Sequence, residues 1–291
     1  AVKGAVVVAG APTPVREALV RRTRSTGMTR ALFTARLRGL PAGALVRAEG
    51  NLQLFRSVGL TVRYLEAVNR FALTIGADAN GLRARFRAAD AAASPDDVPI
   101  PPGAQAPAPL LRTNGATVGV RDPRHVIRFA LRRLQGTQPG IKRLNRDVID
   151  QLSRTATVWS PDLSVVTVSA PVADPGRVAR ALKSLQPLMD RTLAAAGVSG
   201  ARYGVVGSQL VVTTNRLAPL ARLVAGGSGR INALPGALAG VVRGPVLRTE
   251  LIKRFGLPSI ASLALGALGD VTFAVHAEPG GIEAAADLAI G

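Results

Sequence analysis

Cysteine is absent from this chain, which excludes disulfides, thiolate metal sites and cysteine nucleophiles. Histidine is scarce. His125 and His276 are the only two; neither sits among carboxylates at the spacing of a zinc site, and both read as surface residues rather than catalysts. Aromatic residues make up 3% of the sequence, and Phe71, Phe86 and Phe273 fall on the apolar side of alternating stretches. The interleaving of basic and aromatic residues that stacks single-stranded bases is therefore missing. Sequence-specific nucleic acid is not an expected partner. Long apolar runs are missing too: the most apolar window, residues 257–268, is broken by Pro258, Ser259 and Ser262 and is too short to span a bilayer as a helix.

Catalytic motifs are equally thin. A Walker loop needs glycine directly before lysine, so that backbone amides and an ammonium converge on phosphate. The four lysines, Lys3, Lys142, Lys183 and Lys253, follow Val2, Ile141, Leu182 and Ile252 instead. Around Gly227-Ser228-Gly229, the dinucleotide fingerprint fails at Asn232 and the serine-hydrolase elbow fails at Arg230. Asp96-Asp97 is far short of a calcium loop. Asp147 and Asp150 fall one helical turn apart with Arg143, Arg146 and Arg154 nearby, a pattern of ion pairing on a helix surface. No cofactor and no metal are expected.

What the chain does have is size, apolar content and arginine. With 291 residues, 47% of them hydrophobic, it is long enough for one large domain or two ordinary ones. Its formal net charge is +19, and residues 1–90 carry 15 basic against 5 acidic residues, more than half of the excess. Such an excess favours anionic partners at low salt. Arg21, Arg22, Arg24, Arg36 and Arg38 lie along predicted helices in this region. Arg83, Arg85 and Arg87 share one face of a predicted strand. These eight are the candidate anion-binding residues, with a membrane surface or a cell-wall polymer as the expected partner.

The strongest pattern is a hairpin written twice. FALTIGADANGLRARFRAA (71–89) alternates apolar residues on either side of an Asp78-Ala79-Asn80-Gly81 turn. VTFAVHAEPGGIEAAADLAI (271–290) repeats it 200 residues later (275 − 75), keeping the apolar positions while Glu283, Ala285 and Asp287 replace the three arginines. The expectation is a buried apolar face and a free outer face. ALVR at 44–47 matches GVVR at 240–243, 196 residues on (240 − 44), and Val6-Val7-Val8 matches Leu210-Val211-Val212.

The order of segments extends the match. Residues 1–90 read as strand (4–10), helix, strand (44–48), helix (52–70) and hairpin, the C-terminal part of a first repeat. Residues 91–109, with six prolines, read as a semi-rigid spacer. Residues 110–291 read as a complete second repeat. Its predicted elements are strands at 116–120, 156–159, 163–170, 203–206, 209–214 and 240–243, with helices after Asp122-Pro123, at 141–152, after Asp174-Pro175, at 217–225 and at 247–268. The fold expected is α+β, mainly antiparallel sheets with helices packed on them, internally duplicated. An upstream half-repeat, and an export signal before it, are expected to lie outside this sequence.

The segments GATVGVRDPRHVIRFALRRL (115–134), DLSVVTVSAPVADPGRVARAL (162–182), GVVGSQLVVTTNRLAPLARLVAG (204–226) and LGDVTFAVHAEPGGIEAAADL (268–288) resemble, in their order, a family of exported or membrane-tethered proteins of high-GC Gram-positive bacteria, catalogued as a domain of unknown function. The resemblance implies an extracytoplasmic protein and supplies no active site. The function expected is thus a non-enzymatic structural or binding module with an apolar groove between helix and sheet. An arginine-rich binder of anionic surfaces is the alternative, and an enzyme of unrecognised type the third reading.

Overall fold

A computed structural model describes residues 43–51, 70–89, 115–134, 140–195, 200–224, 236–256, 265–278 and 281–290, with isolated positions at 31, 34, 35, 37, 38, 40, 41, 98, 100, 101 and 198. The chain divides into two compact units, residues 1–40 and 41–291. In the first unit, Leu37 and Leu40 are buried, and the Arg38 N–H donates to Ala35 O at 3.2 Å. The predicted strand at 4–10 lies outside the described residues, as does the predicted helix at 52–70 except for Arg70, which begins a strand.

The larger unit is an α+β fold built on one eleven-stranded sheet. Its strands are β1 (Val46–Asn51), β2 (Arg70–Asp78), β3 (Gly81–Ala89), β4 (Ala116–Arg121), β5 (Thr155–Ser160), β6 (Thr167–Pro171), β7 (Arg202–Val206), β8 (Gln209–Thr213), β9 (Leu238–Val242), β10 (Leu268–Glu278) and β11 (Gly281–Ile290). They run in the order β1-β2-β3-β11-β10-β9-β4-β5-β6-β8-β7, every neighbouring pair antiparallel.

The helices described in this unit are α1 (Pro123–Leu134), α2 (Ile141–Asp147), α3 (Pro175–Ser184), α4 (Gln186–Ala195), α5 (Leu220–Val224) and α6 (Gly244–Phe255). No described helix is long and apolar enough to cross a membrane. Side chains of α1 to α4 meet the sheet in a core that includes Leu131, Leu144, Val178 and Leu182 against Val120 and Leu210. Phe129 of α1 is among the most buried side chains.

Three helices depart from expectation for local reasons. The segment predicted to continue from residue 141 to 152 breaks at Val148 (φ −124°, ψ −59°) and finishes as a 3-10 turn, Ile149–Gln151. The single helix expected after Asp174-Pro175 is two, parted at Leu185 (φ −103°, ψ 11°). Pro187 stands two residues on, and its ring obstructs the carbonyl four residues earlier while offering no N–H. The helix expected to reach 268 ends at Gly256, whose φ of 58° suits a left-handed cap.

Caps and turns sort the remaining differences. Asp174 caps α3 as predicted, accepting from Arg177 N at 2.8 Å. Asp122 does not cap α1 in that way: its φ is 45°, and its carboxylate lies 3.5 Å from Arg124 Nε. The strand expected from 163 starts at Thr167, because Asp162 accepts from Ser164 N and Val165 N, each at 3.0 Å, and folds the preceding residues into a turn.

The two hairpins meet along β3 and β11. Arg83 faces Asp287, Arg85 faces Ala285 and Arg87 faces Glu283. Positions 283, 285 and 287 are those the sequence matches to 83, 85 and 87, so the strands pair about a local two-fold axis through Arg85 and Ala285. The boundary between repeats is therefore not a boundary between compact units; backbone pairing joins residues 70–89 to 281–290. Nor is 91–109 a free spacer throughout. Val98 and Ile100 are buried beside Ala237 and Ile282, and Arg121 Nη2 donates to Pro101 O at 3.2 Å.

Gly81 sits at this seam with a φ of 145°, and a Cβ there would come within 2.0 Å of Leu288 O. Replacing it by alanine is expected to cost at least about 2 kcal/mol in urea unfolding, by left-handed strain plus the backbone clash. Gly76→Ala, with nothing within 4 Å of the added carbon, is expected to change stability by less than about 0.5 kcal/mol.

Candidate functional site

The paired hairpins present two unlike faces. On one, arginines of β3 meet acids of β11 and of the β2–β3 turn. Arg83 Nη2 lies 2.8 Å from Asp78 and its Nε 4.0 Å from Asp287; Arg85 Nη1 lies 3.2 Å from Asp287, and Arg87 Nη2 lies 3.0 Å from Glu283. The stripe predicted to bind anions is thus a cross-strand ion-pair ladder, its charge answered by the acids that replace arginine in the second hairpin. Arg21, Arg22, Arg24 and Arg36 lie outside the described residues, and Arg38 belongs to the 1–40 unit.

The other face carries Phe71, Leu73, Ile75, Phe86, Phe273 and Val275, all half-buried. Phe71 and Phe86 stack with centroids 5.9 Å apart. Burial is divided between the faces: Ala88 (0% exposed) and Ile282 (8%) are buried on the apolar face as expected, but so are Ala72 (5%) and Thr74 (1%) of β2 on the ionic face, which is therefore not open throughout. The cross-strand neighbours of Ala72 and Thr74 are Arg87 and Arg85.

A cleft of about 330 Å³ opens at the end of the ladder, lined by Asp78, Asn80, Arg83, Asp270, Thr272 and Asp287 among others. Its three carboxylates already have partners. Asp78 accepts from Asn80 N at 2.8 Å and pairs with Arg83, Asp270 takes Arg243 and accepts from Gly244 N at 2.9 Å, and Asp287 takes Arg85. Among the described residues no cluster of three or more His, Asp or Glu can hold a metal ion.

The second charged cluster centres on Asp147, at the C-terminal end of α2. Arg177 Nη2 of α3 lies 2.7 Å from its carboxylate, Arg146 Nε 2.9 Å and Arg143 Nε 3.5 Å. The helix-surface pairing expected of Asp147 is present with Arg143 and Arg146, while Arg177 joins it from α3 and Asp150 finds a different partner. Asp147 is 7% exposed and ties α2 to α3, whereas Asp150 takes Arg128 of α1. Hydrogen bonds from Arg146 and then Arg177 hold the Asp147 carboxyl well below the usual carboxylate range, against the opposing effect of burial. Three guanidinium groups around one carboxylate leave a local excess of two positive charges, and Arg143, Arg146 and Arg177 remain 53%, 68% and 39% exposed.

Two further groups complete the inventory. His125 is not a plain surface residue: its Nε2 lies 3.0 Å from Val98 O and links α1 to the proline-rich segment. Tyr203 donates to Asp190 at 2.9 Å, and burial followed by that carboxylate pushes its phenol up to about 12. Sequence spacing pointed to Arg143 and Arg146 beside Asp147 but not to Arg177, which comes from 30 residues away; the Asp174 cap that orients its helix was the only signal available. Set against protein-family models, curated proteins and solved structures, the chain matches none of them.

Linkage gives the pH dependence a sign. A carboxyl whose value is lowered on folding adds stability that is full above its unfolded value, 3.8 for aspartate, and is lost as pH falls toward the folded value. Wild-type stability is expected to decline below about pH 5, and Asp147→Asn to flatten that decline while lowering stability at neutral pH; chemical unfolding at pH 7, 5, 4 and 3 reads both. At the ladder, a double-mutant cycle on Arg87 and Glu283 is expected to give a favourable coupling of about 0.2–1 kcal/mol.

Proposed function

We propose that this protein is a non-enzymatic structural or binding module that works outside the cytoplasm, made by duplication of one sheet-and-helix unit. The observation that carries the reading is the seam between the hairpins. Charge on the ionic face is used internally, between β3 and β11; the opposite face of the same four strands is apolar, buried at Ala88 and at Ile282, which packs with Val98 and Ile100, and half-buried at Phe71, Leu73, Ile75, Phe86 and Phe273. Among the described residues, Asp78, Asp147, Asp150, Asp270, Glu283 and Asp287 are each held by arginines. The mirrored strand order β1-β2-β3 and β11-β10-β9 supports duplication, as does the hairpin register, which repeats with an offset of 200. The extracytoplasmic placement rests on the resemblance of the segments to exported proteins.

The apolar face is the ligand surface of this reading, and its ligand is an apolar chain or ring system. A naphthalene-sulfonate fluorophore titrated onto the folded protein is expected to bind saturably, and Ile75→Asp to weaken it at least about tenfold, since a charge placed on an apolar contact costs more than about 1.4 kcal/mol. Absent binding, or binding unchanged in Ile75→Asp, contradicts the proposal.

The Asp147 cluster favours a second reading, an arginine-rich binder of anionic surfaces. Its excess guanidinium charge adds to a chain of net charge +19. Vesicles containing anionic phosphatidylglycerol are expected to bind the protein, with affinity falling steeply between 50 and about 200 mM salt, and the double variant Arg143→Gln/Arg146→Gln to bind less. Salt-insensitive binding, or none, removes this reading.

A further inference from the structure

Among the described residues β1 is an edge of the sheet, pairing only with β2, whereas its counterpart across the seam, β9, is paired on both sides. β2 pairs with β1 as β10 pairs with β9. Since the hairpins correspond at an offset of 200, the partner of Ile75, Val46, corresponds to the partner of Val275, Leu238. The offset between β1 and β9 is thus 192 (238 − 46), four residues from the sequence match of ALVR with GVVR, and an even slip keeps every side chain on its own face.

The outer edge of β9 is filled by β4, which sets Val120 against Leu238, Gly119 against Ala239, Val118 against Gly240, Thr117 against Val241 and Ala116 against Val242. On β1 the same seats belong to Val46, Arg47, Ala48, Glu49 and Gly50. Two observations mark them as built for a strand. Leu45 and Val46, at the start of β1, are 73% and 46% exposed, and Arg47 Nε is buried with no hydrogen-bond partner.

We propose that the open edge of β1 receives one antiparallel peptide strand of a binding partner, with the chemistry of β4. That strand has small or β-branched residues opposite Val46, Ala48 and Gly50. It has a small or acidic residue opposite Arg47, which supplies the missing acceptor, and a hydroxyl residue opposite Glu49. Main-chain hydrogen bonds give the affinity, and the residues facing Arg47 and Glu49 give the selection. The two charges on β1 discourage unspecific pairing of an otherwise free edge.

The test uses the whole chain and a fluorescein-labelled peptide of the β4 sequence ATVGVR with its natural flanks, followed by anisotropy. Saturable binding is expected, absent for a scrambled peptide. Replacing the glycine opposite Arg47 by glutamate is expected to tighten binding by up to about fivefold, and replacing it by lysine to weaken it. Arg47→Pro and Ala48→Pro between them remove an outward N–H and are expected to abolish binding. Arg47→Ala, which keeps the backbone, is expected to erase the difference between the glutamate and lysine peptides, so the selection is read even where a proline variant fails to fold. Equal binding of the scrambled peptide, no binding, or indifference to Arg47→Ala overturns the proposal. So does concentration-dependent dimerisation lost in the edge variants, which makes a second copy the occupant.

Discussion

Backbone pairing between β3 and β11 is the constraint on which the rest of the larger unit depends. It joins two hairpins that lie about 200 residues apart in sequence, so it closes a very long loop, and such contacts form only when the intervening chain is already ordered enough to bring them together. Once formed, the seam fixes three things together. The arginines of one strand face the acids of the other, the apolar residues of both hairpins share the opposite face, and Gly81 sits beneath the Leu288 carbonyl where no other residue fits.

Charge complementarity at the seam adds register rather than much stability. Each cross-strand pair is partly exposed, and such pairs contribute little individually. A slip of one residue, however, moves every arginine to the apolar face, and a slip of two leaves Arg83 or Arg87 beyond its acid. The Asp147 cluster works differently, since there a nearly buried carboxylate gathers three arginines and locks the ends of two helices. Among the described residues the largest apolar core lies between α1 to α4 and the strands from β4 to β8, and a small cluster where Val98 and Ile100 meet Ala237 and Ile282 adjoins it through Leu238.

Much of the architecture was legible in local pattern. Alternation placed β2, β3, β10 and β11, and the Asp174-Pro175 pair marked the start of α3. Local pattern failed where one residue carried a competing preference: Pro187 split the long helix, and Asp162 turned the chain before β6. It failed more deeply where meaning came from pairing. Replacement of the arginines by Glu283, Ala285 and Asp287 looked like freedom on an outer face, whereas those positions are the partners of Arg87, Arg85 and Arg83. The match of ALVR with GVVR likewise misaligned β1 by four residues, because short apolar strings resemble one another at several even offsets and only the ladder decides between them.

The seam can be tested without interference from native thiols, since the chain contains no cysteine. Paired substitutions Ala84→Cys/Ala286→Cys and Arg85→Cys/Ala285→Cys place thiols directly opposite each other in adjacent rungs, one of which has the closer, non-hydrogen-bonded geometry. Under mild oxidant at least one pair is expected to form an intramolecular disulfide rapidly and nearly completely, while Ala84→Cys/Ala285→Cys, on opposite faces, stays reduced. Failure of both facing pairs in folded protein, or equal crosslinking of the mismatched pair, contradicts the account.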